Sequence, residues 1–337
     1  MKKKTQRTDR HKRTGKTYSF DNKHNKNKPA MIWFQESDEG LILFVVFYTQ
    51  ACRWSLCTGC NLPMLSSRHH IDFISLINQI DNLFKDPRVQ KKRNRITKII
   101  VSNNGSVLDE ETFSSTALLY LIARQNMYLK RLKVMSLETR TEYVDLAELE
   151  FLSRALAEGK NSTSLEIAVG FEAFDEKIRN KNFCKGLSLN EFENLVHNMI
   201  PYGFHLKTYF MFKPVPGLSD SAAISDIHHA TDYLSTIAKK TKLKINMHIN
   251  PTYVARDTLL EKAFFEGRYT PPTLVHLAKA ALRGKKSGVT VFLGLSDEGL
   301  AVPGGSFIRK GDQAIIKKLE QFNRTQDFGI LEKVALL

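Results

Sequence analysis

Short apolar runs alternate with segments of helical spacing along most of the chain, and no other feature limits its possible folds so strongly. The runs Leu41–Tyr48 and Ile96–Val101 are typical of buried strands, whereas Leu146–Ala157 and Leu189–Met199 carry apolar residues at helical spacing. This order indicates right-handed βαβ units and a parallel sheet. About six such units predict an α/β fold, a full or partial (β/α) TIM-type barrel with a C-terminal helical extension.

Positive charge is concentrated at the amino terminus. Residues 1–28 hold eleven Lys or Arg and two Asp, and therefore carry +9 of the net charge of +15. With almost nothing apolar to bury, this segment is expected to be a disordered arm. The arm suits contact with RNA or another polyanion, although a solvated tail has the same composition. We expect a barrel domain over residues 30–295 and a C-terminal extension over residues 296–337.

The composition also argues against export and membrane insertion. The longest apolar stretch, Leu41–Tyr48, is too short to span a bilayer as a helix. The charged amino terminus does not resemble a secretory signal. Four cysteines in 337 residues are too few for a disulfide framework. A reducing, cytoplasmic setting with no membrane partner is expected.

Three of the four cysteines, Cys52, Cys57 and Cys60, follow the apolar run that ends at Tyr48. Three thiolates on one loop cannot all pair with one another, but they can hold an inorganic centre. One possibility is a [4Fe-4S] cluster with one iron left open, and the other is a zinc ion whose fourth ligand is His69 or His70. The fourth cysteine, Cys184, is expected to be a turn or core residue rather than a ligand.

Polar residues end several of the predicted strands. In a barrel these ends meet at one rim, where functional side chains collect. Lys213 and His248 are further candidates for a pocket at this rim, and Trp54 could shield a metal centre or simply pack.

The cysteine spacing and the strand ends together resemble the radical SAM enzymes. Their hallmark is three cysteines after the first barrel strand, usually separated by three and two residues. Here four and two residues separate them, and Gly59 stands where an aromatic residue is common. The resemblance implies that Cys52, Cys57 and Cys60 bind a [4Fe-4S] cluster open to S-adenosylmethionine (SAM). It also implies a set of SAM-binding residues at the strand ends: Asn104, Gly105, Ser106, Glu138, Gly170, Glu172 and Asn250.

A narrower resemblance is to the radical SAM protein of archaeosine synthesis and its uncharacterised bacterial relatives, in the elongator-like branch. It is carried by Phe212–Pro214, Ile249–Val254, Asp257–Leu259 and Gly267–Pro272, while Glu138–Tyr143 resembles a strand end of the elongator and methylthiotransferase branch. This resemblance implies reductive cleavage of SAM to a 5′-deoxyadenosyl radical, with electrons from an external one-electron reductant. The substrate hypothesis is a modified nucleoside within tRNA, contacted through residues 1–28. The rival hypothesis is a non-catalytic, zinc-containing RNA-binding protein.

Overall fold

The computed structural model describes residue 16 and residues 19–337. Most of the predicted arm, namely residues 1–15, 17 and 18, lies outside the described residues. Eight strands follow one another in a single sheet. They are Met31–Ser37 (β1), Gly40–Val46 (β2), Ile96–Ser102 (β3), Val134–Thr139 (β4), Ser164–Glu172 (β5), His205–Phe212 (β6), Ile245–Pro251 (β7) and Thr290–Leu293 (β8).

Helices connect the strands and cover the outer face of the sheet. Their bounds are Phe73–Lys85, Pro87–Lys92, Ser115–Tyr128, Leu146–Ala157, Leu189–Met199, Asp220–Thr241, Leu259–Phe265, Leu274–Ala281, Gln313–Thr325 and Phe328–Ala335. Most of the buried apolar side chains form one core between these helices and the sheet. In the part of the chain that the structure describes, no helix is both long and apolar enough to cross a membrane.

The sheet is a partial barrel. β1 and β2 form an antiparallel hairpin in which Ser37 pairs with Gly40. From β2 to β8 every neighbouring pair is parallel. The described strands include no pairing between β1 and β8, so the sheet stays open along that line. The predicted α/β barrel is confirmed, with seven parallel strands rather than about six.

Polar side chains fill the lower end of the barrel interior. Lys98 on β3 is fully buried and donates to Glu166 on β5 at 2.8 Å and to Glu39 at 2.6 Å. Lys207 on β6 donates to the amide oxygen of Asn246 on β7 at 2.8 Å. Because side chains alternate between the two faces of a strand, residues two positions further along each strand form the next interior layer towards the carboxyl ends.

The helix Gln313–Thr325, called the closing helix below, covers the open line between β8 and β1. The amide of Asn323 accepts from the Leu293 N–H at 2.8 Å and donates to the Leu293 carbonyl at 2.9 Å. Gln326 makes the same pair of bonds with the backbone of Val291. On the other side, the Asp38 N–H donates to the carbonyl of Asn323 at 2.9 Å. In a closed barrel, β1 and β8 would pair with each other. Here a helix provides hydrogen-bond partners for backbone groups on both sides of the opening instead.

The described end of the predicted arm packs on the body of the protein. The hydroxyl of Tyr48 donates to the carbonyl of Asp21 at 2.5 Å. Gln79 and Asn82, on the helix Phe73–Lys85, donate to the carbonyls of Lys26 and Asn27 at 2.8 Å each. Side chains of the body thus bind the backbone of this segment at three of its carbonyl groups.

Candidate metal and cofactor site

A cavity of about 1000 Å³ opens at the carboxyl ends of the strands. The three clustered cysteines line it from the loop after β2. Most of the predicted cofactor residues line it as well, and they are Asn104, Gly105, Glu138, Gly170, Glu172 and Asn250. The structure therefore brings together residues that are up to about 200 positions apart in sequence, as the barrel topology requires.

Ser106 is the predicted cofactor residue that does not line this cavity. It is 3% exposed, and its hydroxyl accepts from the backbone N–H of Arg140 at 3.1 Å. Its carbonyl accepts from the side chains of Asn103 and Thr112, both at 3.2 Å. Ser106 therefore connects the end of β3 to the end of β4, and it lies behind the residues that line the cavity.

The three thiols do not form a compact ligand group within the described residues. Among the described residues, one group of three or more His, Cys, Asp and Glu side chains has all its ligand atoms within 4.8 Å, and it is Glu39, Glu166 and His205. The clustered cysteines do not form such a group, so at least one pair of their sulfur atoms is further apart. One tetrahedral zinc would need sulfurs about 3.8 Å apart, given zinc–sulfur bonds of about 2.3 Å. Wider separation suits a cluster, in which each cysteine binds its own iron.

The histidines proposed as a fourth zinc ligand lie outside the cavity. His69 and His70 are both exposed. A ring nitrogen of His70 lies 3.2 Å from the carbonyl of Glu111, and neither histidine lines the cavity with the cysteines. The arrangement of the described residues therefore fits an iron-sulfur cluster better than a closed zinc site.

The cysteine loop is held by the segment that follows β5. The Thr58 N–H donates to the carbonyl of Phe183 at 2.9 Å, and the Thr58 hydroxyl donates to the carbonyl of Asn182 at 3.0 Å. The indole N–H of Trp54 donates to the carbonyl of Cys184 at 2.9 Å. These bonds join two parts of the chain about 130 residues apart. Cys184 contributes its backbone here, and it is not among the residues that line the cavity.

Arg140, the residue after β4, contacts both the cysteine loop and the segment after β5. Its guanidinium lies 4.4 Å from the centroid of the Trp54 ring, within cation–π range. It also donates to the carbonyls of Lys185 and Gly186, at 2.9 Å and 3.3 Å. With 6% of its surface exposed, Arg140 is a buried cation whose donors are used to join three segments.

Gly59 leaves space for an aromatic ring from elsewhere in the chain. A Cβ at this position would lie 3.1 Å from Cε2 of Phe183. The ring that radical SAM sequences commonly carry just before the third cysteine would compete with Phe183 for this space. Phe183 therefore supplies the aromatic packing at this point of the loop.

Glu172 and Lys185 form an ion pair beside the cysteines. Their charged atoms are 2.8 Å apart, and both side chains are largely buried. A Cβ on Gly170 would lie within about 2.5 Å of both charged groups, so any side chain at this position would have to displace the ion pair. Burial raises the pKa of the Cys57 thiol to about 12, and the nearby Lys185 ammonium opposes this rise. The thiol is thus protonated when no metal is bound, and metal binding must release its proton.

The deeper wall of the cavity carries Glu138, Tyr209 and His248. The Tyr209 hydroxyl donates to the carboxyl group of Glu138 at 2.5 Å, crossing β5 where Ala168 and Gly170 leave room. Burial raises the pKa of Glu138. Lys213, a further candidate from the sequence, instead pairs with Asp220 at 2.9 Å and does not line the cavity.

Sequence comparison is consistent with this geometry. No protein-family profile matches the chain. Archaeosine synthase subunit beta of Methanosarcina acetivorans is 29% identical over 253 residues, covering 74% of this chain and 69% of that protein. An uncharacterised protein of Methanocaldococcus jannaschii is 24% identical over 319 residues, covering 91% of this chain and 84% of that protein. The resemblance predicted from the sequence is confirmed.

The chain is also similar in fold to a solved structure. Elp3 of the archaeon Methanocaldococcus infernus is 16% identical, with a TM-score of 0.49 over 74% of this chain and 58% of that chain. That likeness is one of fold alone.

Several residues of the site were not predicted. Lys185 and Tyr209 are the partners of predicted residues, and Glu298 reaches the cavity from the loop after β8. Tyr209 could have been found, because it lies two positions after Lys207 and hence on the same face of β6. Glu298 gives no such signal, because its position depends on the path of a loop.

Proposed function

We propose that this protein is a radical SAM enzyme whose Cys52, Cys57 and Cys60 hold a [4Fe-4S] cluster. One observation carries the proposal: Cys52, Cys57 and Cys60 line one large cavity together with the polar strand ends. When bound, such a cluster supplies one-electron cleavage of SAM to methionine and a 5′-deoxyadenosyl radical.

The chain's own residues would bind and orient the cofactor. Asn104, Gly105, Gly170 and Asn250 offer backbone and amide groups at the rim, and Glu138 and Glu172 offer carboxylates. The neighbours described above fix the two carboxylates, since Tyr209 donates to Glu138 and Lys185 pairs with Glu172. Groups held in this way need little reorganisation when the cofactor binds.

We further propose that the substrate is a modified nucleoside within tRNA. Two observations support this, the basic composition of residues 1–28 and the similarity to proteins named archaeosine synthase subunit beta. The electrons would come from an external one-electron reductant, and the reaction would take place in the cytoplasm.

Metal analysis tests the cluster. Anaerobically purified protein is expected to be brown, to absorb broadly near 400 nm and to contain about four irons and four sulfides per chain. Cys52→Ala, Cys57→Ala and Cys60→Ala should each lose most of the iron. Cys184→Ala is the matched control and should keep it. Colourless protein with one tightly bound zinc would instead favour the RNA-binding alternative.

Cofactor cleavage tests the enzyme. Cluster-loaded, dithionite-reduced protein mixed with SAM should release 5′-deoxyadenosine even without substrate. Glu172→Gln should reduce the yield, because it removes the charge that Lys185 pairs with. If loaded protein yields no 5′-deoxyadenosine with or without tRNA, the proposed activity is wrong.

A further inference from the structure

The stretch between the first two clustered cysteines contains a left-handed backbone turn. Four residues separate Cys52 from Cys57, one more than is usual in radical SAM sequences, and the third of them is Ser55. Ser55 has a φ of 51° and is 5% exposed. This conformation is uncommon for residues other than glycine, and it persists where the surroundings hold it in place. The longer spacing therefore depends on groups that hold Ser55.

Two hydrogen bonds hold Ser55 in this conformation. Its hydroxyl donates to the carbonyl of Cys52, which closes the turn locally. Its carbonyl accepts from Nζ of Lys16 at 3.2 Å, and this bond joins the turn to a residue 39 positions earlier in the chain. The position of the turn relative to the cavity is thus tied to a side chain outside the cysteine loop.

Lys16 is a buried cation in the cavity of the cysteines. It is 4% exposed, and it lines the cavity together with Cys52, Cys57 and Cys60. Lysine is rarely buried to this extent unless acceptors or negative charges surround its ammonium group. Burial raises the pKa of the Cys60 thiol, and the Lys16 ammonium opposes this rise. The ammonium therefore lies where it acts on the cysteine loop.

Lys16 differs in origin from Lys185, the other lysine beside the cysteines. Lys185 belongs to the segment after β5 and pairs with Glu172. Lys16 belongs to the basic segment of residues 1–28, whose composition suggests contact with RNA. At least one of the eleven cations of that segment thus lies inside the protein rather than in the solvent.

We propose that Lys16 is a positioning residue for the metal site. Its ammonium would hold the turn at Ser55, and the turn sets the separation of Cys52 and Cys57. The inference rests on the proposed function, because it assumes that these thiols bind the cluster. The positive charge would also offset the charges of the bound thiolates, and it would favour the reduced, more negative state of the site.

Iron release tests the positioning role. Full-length protein is reconstituted anaerobically, and the transfer of iron to bathophenanthroline disulfonate is followed. Lys16→Met keeps an unbranched side chain but removes the donor and the charge, and release should be at least about threefold faster. Lys16→Arg retains both and should release iron at close to the original rate. Lys23→Met is the matched control, because it makes the same charge change at an exposed position of the same segment.

Substitutions at Ser55 test whether Lys16 acts through the turn. Ser55→Ala loses the bond to the Cys52 carbonyl and should also speed iron release. Ser55→Gly should be less harmful, because glycine adopts the left-handed conformation without strain. The combined effect of Lys16→Met and Ser55→Ala should be smaller than the product of the two single effects, since both weaken the same turn.

The reduction potential provides a readout that a merely structural role would not move. It is measured by a dye-mediated titration followed by electron paramagnetic resonance. Without the ammonium, the added negative charge of the reduced state is less favourable. The potential of Lys16→Met should therefore be about 30 mV more negative, which is about a threefold change in a one-electron equilibrium. Lys16→Arg and Lys23→Met should keep the original value.

Equal release rates and potentials in Lys16→Met and Lys23→Met would overturn the proposal. Faster release with an unchanged potential would refute the role of the charge. Strictly multiplicative effects of Lys16→Met and Ser55→Ala would refute the role of the turn, provided circular dichroism shows that the variants are folded. Failure of the proposed function is distinct from all of these, because it appears as missing iron in the unsubstituted chain.

Discussion

Gly105 and Cys52 are in direct contact, since a Cβ at residue 105 would lie 3.1 Å from the Cα and 3.3 Å from the Cβ of Cys52. The end of β3 is therefore the surface against which the cysteine loop begins. A glycine that the sequence associates with SAM has a second role that involves no cofactor, because it sets the position of the first cysteine.

Gly105→Ala should lower iron content without unfolding the protein. The added methyl group must displace Cys52, whereas β3 itself can stay in register. We expect iron per chain to fall by about half or more after anaerobic reconstitution. Asn104→Gly is the control, because it removes atoms at a neighbouring residue with a φ of 57°. Full iron content in Gly105→Ala would show that the loop can move without cost.

Trp54→Phe should make the cluster more labile. Phenylalanine retains most of the ring but loses the donor to the Cys184 carbonyl, so one of the three hydrogen bonds described between the cysteine loop and the segment after β5 is removed. Iron release to a chelator is expected to be several-fold faster, and Arg140→Lys should act in the same direction. Trp33→Phe serves as the comparison, since Trp33 stacks on Phe44 away from this junction. Identical release rates for both tryptophan variants would contradict the assigned role.

Asn323→Ala should destabilise the fold by about 2–4 kcal/mol. The substitution leaves the N–H and carbonyl of Leu293 without partners at a buried edge, and each costs about 1–2 kcal/mol. Thr325→Ala on the same helix removes an exposed hydroxyl and should change stability by less than about 0.5 kcal/mol. Urea unfolding followed by circular dichroism measures both. A small effect for Asn323→Ala would mean that water replaces its amide.

Glu298→Gln should stabilise the protein above pH 7 and leave it unchanged near pH 4. The pKa of Glu298 is raised from 4.5 to about 7 in the folded protein, so folding favours the protonated form. That stability is present below pH 4.5 and is lost as the pH rises towards 7. Because the side chain is reached by solvent from the cavity, the expected gain at pH 8 is only about 1 kcal/mol. Unfolding in urea at both pH values is the measurement.

Deleting residues 1–15 should weaken tRNA binding and make it less dependent on salt. The segment carries seven Lys or Arg, and its removal spares residues 21–28, which pack on the body. If about five of these cations contact phosphate, the slope of log affinity against log salt should become shallower by roughly 3.5 to 4.5. Titrations of both proteins at several salt concentrations provide the slopes. Superimposable curves would leave the arm without a role in RNA binding.

The sequence predicted those features that arise from local order. Alternating apolar runs identified the strands, and the cavity brings together six of the seven residues that the resemblance implied as cofactor candidates. The sequence did not predict contacts that depend on strand register or on a distant segment of the chain. The Glu172–Lys185 pair, for example, depends on how the chain returns after β5, and Ser106 is turned behind the rim by its bond to Arg140.

The closing helix sets an order for maturation. The helix that covers the open side of β1 ends at Thr325, almost 300 residues after that strand, and is therefore synthesised much later than the strand. While the chain leaves the ribosome, the barrel interior stays accessible from that side long after the cysteine loop has formed. If the thiols hold the proposed cluster, iron and sulfide would have a period during translation in which they could reach the thiols through the open side of the sheet, before the closing helix docks there.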